Sequence, residues 1–592
     1  MPDKSENQTN FWQELRRRKV VRVITVYAAA AFVILELVDI VSPALGLPSW
    51  TMGLVIVLLV IGLIISAILS WVYDITPEGV QKTKNTKKSR SAERSSYSWK
   101  IISYISIVVI VGLVIVNILS ARKNSEGSED IEKSFAVLPF ENLSSEEEHA
   151  WFSDGMTDVI INQLSKISSY RVIGRTSTLK YKEEKKSIQE IGQELGVNYI
   201  IEGTVQRQES EMRISVQLIR VMNEDHIWAD LYDRELNDIF KVQTDIAKHI
   251  ADELETALTP EEKESVEKKP TGIPEAYNLY LQGRFFWGTR TEEGLNKSIE
   301  CFKKALELDP DYALAYVGLA DSYFIQGWWG MIPKEEGFDM AEENVIKALE
   351  IDKNLAEAHT VMGALYTWKY WDWEKARNEL ELAIKLKPNY VTAHQYYSEI
   401  LDIIGENDKA RKEIDLAIEL DPFLPVLRGQ SAAYYINEGR LEESYIEENT
   451  IQEMDPDYGN GLVHQGKFYI HVRKKEDLKA VEELKKAFRM DPSTATEAER
   501  VDSIYRESGI NGLITLLIDL ELKDTKPDPV RLGKLYLFLD KKEEALLWLE
   551  KGVEERHTRI PFIFNDGFFH ELHSEPRFRK LINKLGLSEY EK

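Results

Sequence analysis

Apolar positions follow three unlike patterns along this chain. Before residue 122 they run in blocks: Val23 to Val41, broken near its end by Glu36 and Asp39; Met52 to Tyr73, with no charge; and Ile101 to Ala121, again with none. The last two are long enough to cross roughly 30 Å of hydrocarbon as helices, and the first is read as a span paired with the second. From 134 to 258 short apolar or alternating runs take turns with helical spacing. SFAVLPF, YRVIG, NYIIEGTVQR, MRISVQLIRV and HIWADLYDRE predict strands, while 155–168, IQEIGQEL and about 238–258 predict helices. Asp154 is expected to cap the first helix, and Glu202-Gly203 to bend a strand. From 274 onward the spacing is helical throughout.

That last region repeats. ALELDP (305–310) returns as ALEIDK, AIKLKP, AIELDP, TIQEMDP and AFRMDP, in steps of 43, 35, 34, 34 and 36 residues. A 34-residue period marks a solenoid of helical hairpins, and residues 274–556 resemble the tetratricopeptide family. Small residues recur in register: Ala320, Gly363, Ala432, Gly466 and Gly533 on first helices, and Ala376/Ala383, Ala410/Ala417 and Ala480/Ala487 on second ones. Such a stack has a concave surface lined by first helices. In this register the inward positions are Asp321, Phe324, Trp368, Gln395, Glu399, Asp402, Asn437, Lys467 and His471. Their mix suits an extended peptide, preferably a basic one; the bland alternative is a solvated face.

The 43-residue step holds an insertion, QGWWGMIPKEEGF (326–338). Trp328 and Trp329 within it, with Trp368, Trp371 and Trp373, allow two readings. They form an exposed anchor, or the longer loop folds back and caps the groove entrance. Residues 557–592 are expected to close the last apolar face of the stack.

Charge divides the chain. Residues 1–133 carry a balance of +4 and residues 134–592 one of −29. The acidic part is ill suited to sequence-independent nucleic-acid binding, which needs Lys and Arg. Basic residues cluster at 16–22 and 82–100 and are absent from 42–51, so the positive-inside rule places the N-terminus and the 74–100 loop in the cytoplasm. Three crossings (23–73 as a hairpin, then 101–121) carry 122–592 outside. A single cysteine, Cys301, excludes an intramolecular disulfide and reads as a small buried hydrophobe. His570 and His573 lack zinc-protease spacing.

Residues 134–258, after a polar linker at 122–133, closely resemble the TolB amino-terminal-like, or FlgO-like, domain of bacterial envelope proteins. The resemblance rests on SFAVLPFENLS, WFSDGMTDVIINQLSKI, YRVIGRTSTLKYK, IGQELGVNYIIEGTVQR and IWADLYDRELNDIFKVQTDIA. It implies a small α/β domain outside the inner membrane and implies no enzyme. The expected protein is therefore multidomain: N-terminal transmembrane helices, a small α/β domain, then an all-α tetratricopeptide solenoid. No catalytic, metal or cofactor residue can be named. The function expected is a non-enzymatic scaffold anchored in a bacterial inner membrane, with 122–592 periplasmic and protein or peptide partners. The alternative is a receptor relaying periplasmic binding to a separate cytoplasmic protein.

Overall fold

The computed structural model describes residues 133–592 except 145–149, 183, 185, 209–210, 236–237 and 591–592, together with 73–76, 79–82 and scattered positions between 27 and 62. Two compact units divide the chain, Met1–Lys123 and Asn124–Lys592. In the first, β1 (Tyr73–Thr76) and β2 (Gly79–Lys82) pair antiparallel, where only a basic loop was expected beyond Tyr73. The Tyr27 hydroxyl donates to the Leu59 carbonyl at 2.9 Å. Gly62 lies so close to that hydroxyl that a Cβ would clash, and the first two apolar stretches thus touch. Among the described residues no helix is long and apolar enough to cross a membrane. The three expected spans lie, apart from those few positions, outside the described residues.

The second unit begins with an α/β sheet. Its strands are β3 (Ser134–Val137), β4 (Glu141–Asn142), β5 (Arg171–Val172), β6 (Tyr199–Gln208), β7 (Glu211–Arg220) and β8 (Asp225–Glu235). The order is β5-β3-β6-β7-β8, with β4 beside β6. β3 runs parallel to β5 and β6, whereas β6, β7 and β8 form an antiparallel meander. α1 (Ala150–Leu164) and α4 (Ile239–Glu253) cover one face over Phe135, Val137, Ile214 and Val216. α3 (Ile188–Leu195) covers the other over Ala136, Ile173 and Ile200. Both faces of β3 are thus buried, which is why its run is continuously apolar. A capping box at Ser187 and Glu190 starts α3, and Gly196 at φ 62° ends it.

Two local expectations fail here. Asp154 caps nothing: α1 already runs from Ala150, and the carboxylate pairs with Lys182 at 2.9 Å and Arg175 at 3.5 Å. Glu202 and Gly203 do not bend β6, for they face Gln217 and Val216 in unbroken register. Glycine is needed at 203 because the Phe140 ring and the Ser215 carbonyl leave no space for a Cβ.

α2 (Arg175–Leu179) follows β5, and α5 (Pro260–Glu267), opened by a Thr259–Glu262 capping box, joins the sheet domain to the array. Seven helical hairpins follow among the described residues: α6 (Pro274–Gly288) with α7 (Glu292–Leu308), α8 (Ala313–Trp328) with α9 (Lys334–Ile351), α10 (Ala356–Leu365) with α11 (Trp373–Leu386), α12 (Val391–Ile403) with α13 (Asn407–Leu420), α14 (Pro425–Asn437) with α15 (Leu441–Met454), α16 (Leu462–Arg473) with α17 (Asp477–Met490), and, after α18 (Val501–Glu521), α19 (Pro529–Phe538) with α20 (Lys542–Glu554). The repeated ALELDP-type phrases end the second helices, as their register requires. α18, broken at Gly509 (φ 61°), is where the 34-residue period lapses. α21 (Pro576–Lys584) closes the chain.

The insertion at 326–338 is not a folded-back loop. It lengthens α8 and α9 and leaves five residues between them. Gly327 and Gly337 meet where these helices cross, and a Cβ on Gly337 would lie 2.7 Å from the Gly327 Cα. Since that neighbour is backbone, Gly337→Ala is expected to destabilise the second hairpin by about 1–3 kcal/mol, measurable by chemical denaturation.

The C-terminal segment also departs from expectation. Rather than only closing the end of the stack, residues 560–587 pack against hairpins three to five. Ile560, Ile563, Phe564, Phe569, Leu572, Phe578 and Leu585 share one core with Trp373, Leu380, Ile400, Ile414 and Leu427. Trp373 donates its indole N–H to the Leu585 carbonyl at 2.8 Å. Arg556 donates to the Lys369 carbonyl at 2.9 Å and stacks 4.2 Å from the Trp371 ring, which a left-handed backbone (φ 59°) presents to it. The array therefore curls until its last part touches its middle.

Candidate partner-binding groove

Helices α6, α8, α10, α12, α14 and α16 are the first members of their hairpins, and the expected groove positions lie on them except Trp329, just past α8, and Trp368, on the π-helical turn Tyr366–Tyr370 that continues α10. The structure separates these positions into an open set and a closed one.

The closed set is the larger. Phe324 and Trp368 are core residues: Phe324 stacks on Phe338 with centroids 5.0 Å apart, and Trp368 meets Trp328 at 4.8 Å and Tyr396 at 5.2 Å, both edge-on. Asp402 is only 3% exposed and accepts from the Asn565 side chain at 2.7 Å. Asn437 accepts from the Gly567 amide at 3.4 Å. Lys467 is buried and donates to Gln452; His471 is buried with Nδ1 2.7 Å from Glu476. The chain's own tail, or its own side chains, hold all of these. Of the tryptophans, Trp328 is half-buried and Trp329 is 49% exposed, while Trp373 is buried, so the cluster mostly packs.

The open set is Asp321, Gln395 and Glu399, each half-buried. Asp321 faces the Arg284 guanidinium at 3.5 Å, yet burial pushes its carboxyl up to about 6. Burial, with Asp402 one turn away, pushes Glu399 up to about 8. Among the described residues Glu399 has no cationic partner in ion-pair contact. Around these groups stand residues the sequence reading did not name. Arg284 and Arg290 flank the Trp287 ring at 4.2 and 3.5 Å. Tyr390 and Tyr396 lie close to these carboxyls, and burial holds both hydroxyls well above the ordinary tyrosine range.

Arg284 was within reach of sequence reasoning. It follows Gly283 as Asp321 follows Ala320 and Glu399 follows Ser398, a small residue then a charged one, although it lies 37 residues before Asp321 rather than the usual 34–36. Gly283 and Gly318 both exist because the Phe302 ring lies against their backbones.

The sheet domain packs against α6, the helix that carries Arg284. α1 packs on α6, with Gly155 against Leu281 and Asp158 facing Arg175 at 3.1 Å. Burial pushes the Asp158 carboxyl up in spite of that partner. Two interhairpin loops, after α11 and after α13, fasten the domain. Lys387 bridges Glu357 at 2.8 Å and Asn162 at 2.6 Å. Asn389 accepts from the Val172 amide at 3.2 Å and donates to the Tyr170 carbonyl at 2.7 Å, standing in for a neighbouring strand at the β5 edge. Asp421 accepts from the Ser177 amide at 2.9 Å and from its hydroxyl, and Gly174 donates to the Leu420 carbonyl at 2.6 Å. His359 and His394, one repeat apart, brace interhairpin loops alike. Each sets Nδ1 2.6 Å from a second-helix glutamate (Glu379, Glu413) and Nε2 2.9 Å from a loop carbonyl (Lys353, Pro388).

Comparison with known proteins supports the division into two domain types. Residues 131–249 match the family described as HilA/YgeH-like transcriptional regulator, second domain, and residues 293–327 match the TPR repeat. The putative adenylate cyclase 3 of Rhizobium meliloti (strain 1021) is 35% identical over 240 residues, 40% of this chain and 40% of that one. The transcriptional regulator HilA of Salmonella typhimurium is 26% identical over 89 residues, 15% of this chain and 16% of HilA. The chain thus spans well under half the length of these relatives. Among solved structures, YrrB, a TPR protein with an unusual peptide-binding site, aligns with TM-score 0.26 and 23% identity over 34% of this chain and 99% of its own. The type IV pilus biogenesis factor PilW aligns with TM-score 0.32 and 14% identity over 38% and 97%. With the repeat match at 293–327, the hairpins form a mostly helical solenoid of tetratricopeptide type, preceded by a small α/β region near residues 134–235 similar to the second domain of HilA/YgeH-like regulators.

Proposed function

We propose that this protein is a non-enzymatic scaffold that binds an extended segment of a partner protein in the open half of its groove, between α6, α8 and α12. The observation that carries this reading is the cluster of Asp321, Gln395 and Glu399 on α8 and α12, half-buried and, unlike Asp402 and Asn437, not held by the C-terminal segment. Glu399 has no cationic partner among the described residues, and a Lys or Arg brought beside it would favour its ionised form, so the segment expected is a basic one. The test is site-specific photocrosslinking in cells. A crosslinker at Gln395 is expected to capture a protein partner, and one at Lys304, on the second helix of the first hairpin, is expected to capture none. Equal yields at both positions would sink the groove assignment.

Glu399 also makes a stability prediction. Its folded value, about 8, lies above the ordinary 4.5, so its contribution is fullest below pH 4.5 and is lost as pH rises through 8. Thermal melting of Glu399→Gln should accordingly match the parent near pH 5 and exceed it near pH 9.

The same proposal places the protein in a bacterial inner membrane, with the three apolar stretches as spans and residues 122–592 in the periplasm. The basic residues at 16–22 and 82–100 support this orientation. The resemblance to the TolB amino-terminal-like domain read from the sequence of 134–258 favours the compartment, whereas the family match over 131–249 is to HilA/YgeH-like regulators. Reporter fusions after residues 86, 130 and 592 should read inside, outside and outside. A second reading, a relay to a separate cytoplasmic output, draws support from the relatives named as a transcriptional regulator and a putative cyclase. Deleting 75–98 separates the two: a scaffold keeps its function, whereas a relay still binds its partner and fails to signal.

A further inference from the structure

The two edges of the sheet are treated differently. At β5 the edge is shut by Asn389, which occupies the Val172 amide and the Tyr170 carbonyl. At the opposite edge β8 runs for 11 residues, pairs only with β7 among the described residues, and is exposed along most of its length. α4 covers one face of it, where His249 sets its ring 5.6 Å from Trp228 and its Nδ1 3.2 Å from the Tyr232 hydroxyl. Apart from the Leu231 amide, which donates to the Asp230 carboxylate at 2.8 Å, such an open ladder presents its outward amides and carbonyls in a row, a template for another extended chain.

We infer that β8 is a strand-addition site for an extended segment of a partner protein, one carrying Lys or Arg near Asp230 and Glu235 and a small apolar side chain near Leu231. This surface lies on the sheet domain and does not depend on the groove assignment. The strand holds four acidic residues (Asp225, Asp230, Asp233 and Glu235) against one basic, Arg234. Asp233 is answered by Arg213 of β7 at 2.6 Å and Asp225 by Arg220 at 3.9 Å. Asp230 and Glu235 have no cationic partner in ion-pair contact among the described residues. Leu231, 57% exposed, supplies an apolar contact between them. A second copy of this chain is the poorer occupant, because β8 against β8 sets two strands of net −3 side by side, and like charges across a ladder repel.

The test uses the full-length chain and a ten-residue probe peptide alternating Lys with Val or Thr. At saturating peptide, amides in 225–235 should exchange with deuterium at least tenfold more slowly, while those of β5 are unchanged. An analogue N-methylated at alternate residues should neither bind nor protect. The double variant Asp230→Lys, Glu235→Lys should weaken binding at least fivefold with unaltered thermal melting. Absence of binding, unchanged exchange at β8, or binding that survives N-methylation would overturn the inference. So would dimers of the chain captured without peptide through a disulfide at Leu231→Cys, which would make β8 a self-pairing edge.

Discussion

Phe569→Ala is expected to lower the stability of the repeat array by about 3–5 kcal/mol, the range for truncating a fully enclosed phenylalanine. Phe569 is wholly buried, against Gly533 and Phe578, in the core that joins the C-terminal segment to hairpins three to five. The effect should therefore appear far from the substitution in sequence. Hydrogen exchange should quicken at Ile400, Leu401 and Ile414 as well as around Leu549 and Leu572. In an ordinary solenoid each hairpin depends only on its neighbours, and such a change would stay local. Exchange confined to 529–587 would mean that the tail merely rests on the middle of the array. A coupled loss would mean that closure of the curl is part of its stability, and that the half of the groove holding Asp402 and Asn437 is permanently occupied.

Asp421→Ala is the second large effect, about 2–4 kcal/mol, because it leaves the Ser177 amide and hydroxyl buried with one acceptor fewer between them. The residue is 4% exposed, and a Cβ on Gly174 would lie 2.6 Å from its Oδ2, so the carboxylate is packed tightly into the joint. Asp421→Asn keeps an acceptor oxygen and should cost about 1 kcal/mol or less. Burial pushes the Asp421 carboxyl up to about 6 although Ser177 and Thr176 donate to it. With a folded value above the ordinary 3.8, its contribution is fullest below pH 3.8 and falls as pH rises through 6. Denaturation monitored at the β5 amides should show that slope in the parent protein and a flatter one in Asp421→Asn. An identical slope in both would assign the pH dependence to other carboxyls, Asp321 and Asp402 first.

Taken alone, the sequence determined the periodic parts of this protein. A side chain at every second or every third and fourth position must face one way in a strand or a helix, so SFAVLPF, IQEIGQEL and the repeated ALELDP phrases declare their conformations locally. The 34-residue register even located Asp321, Gln395 and Glu399 on the right helices. It could not say which register positions would stay open. That was decided by contacts between residues far apart: Asn565 on Asp402, Gly567 on Asn437, Asn389 on the β5 edge, Ser177 on Asp421. Asp154 and Gly203 show the same limit at short range. One looked like a cap and proved to be an ion-pair partner of Lys182; the other looked like a bend and proved to be clearance for Phe140. Periodicity is a property of neighbouring residues, whereas the curl that brings the tail onto the middle of the array and the joint that fastens the sheet domain arise only when separate elements bury apolar surface against one another.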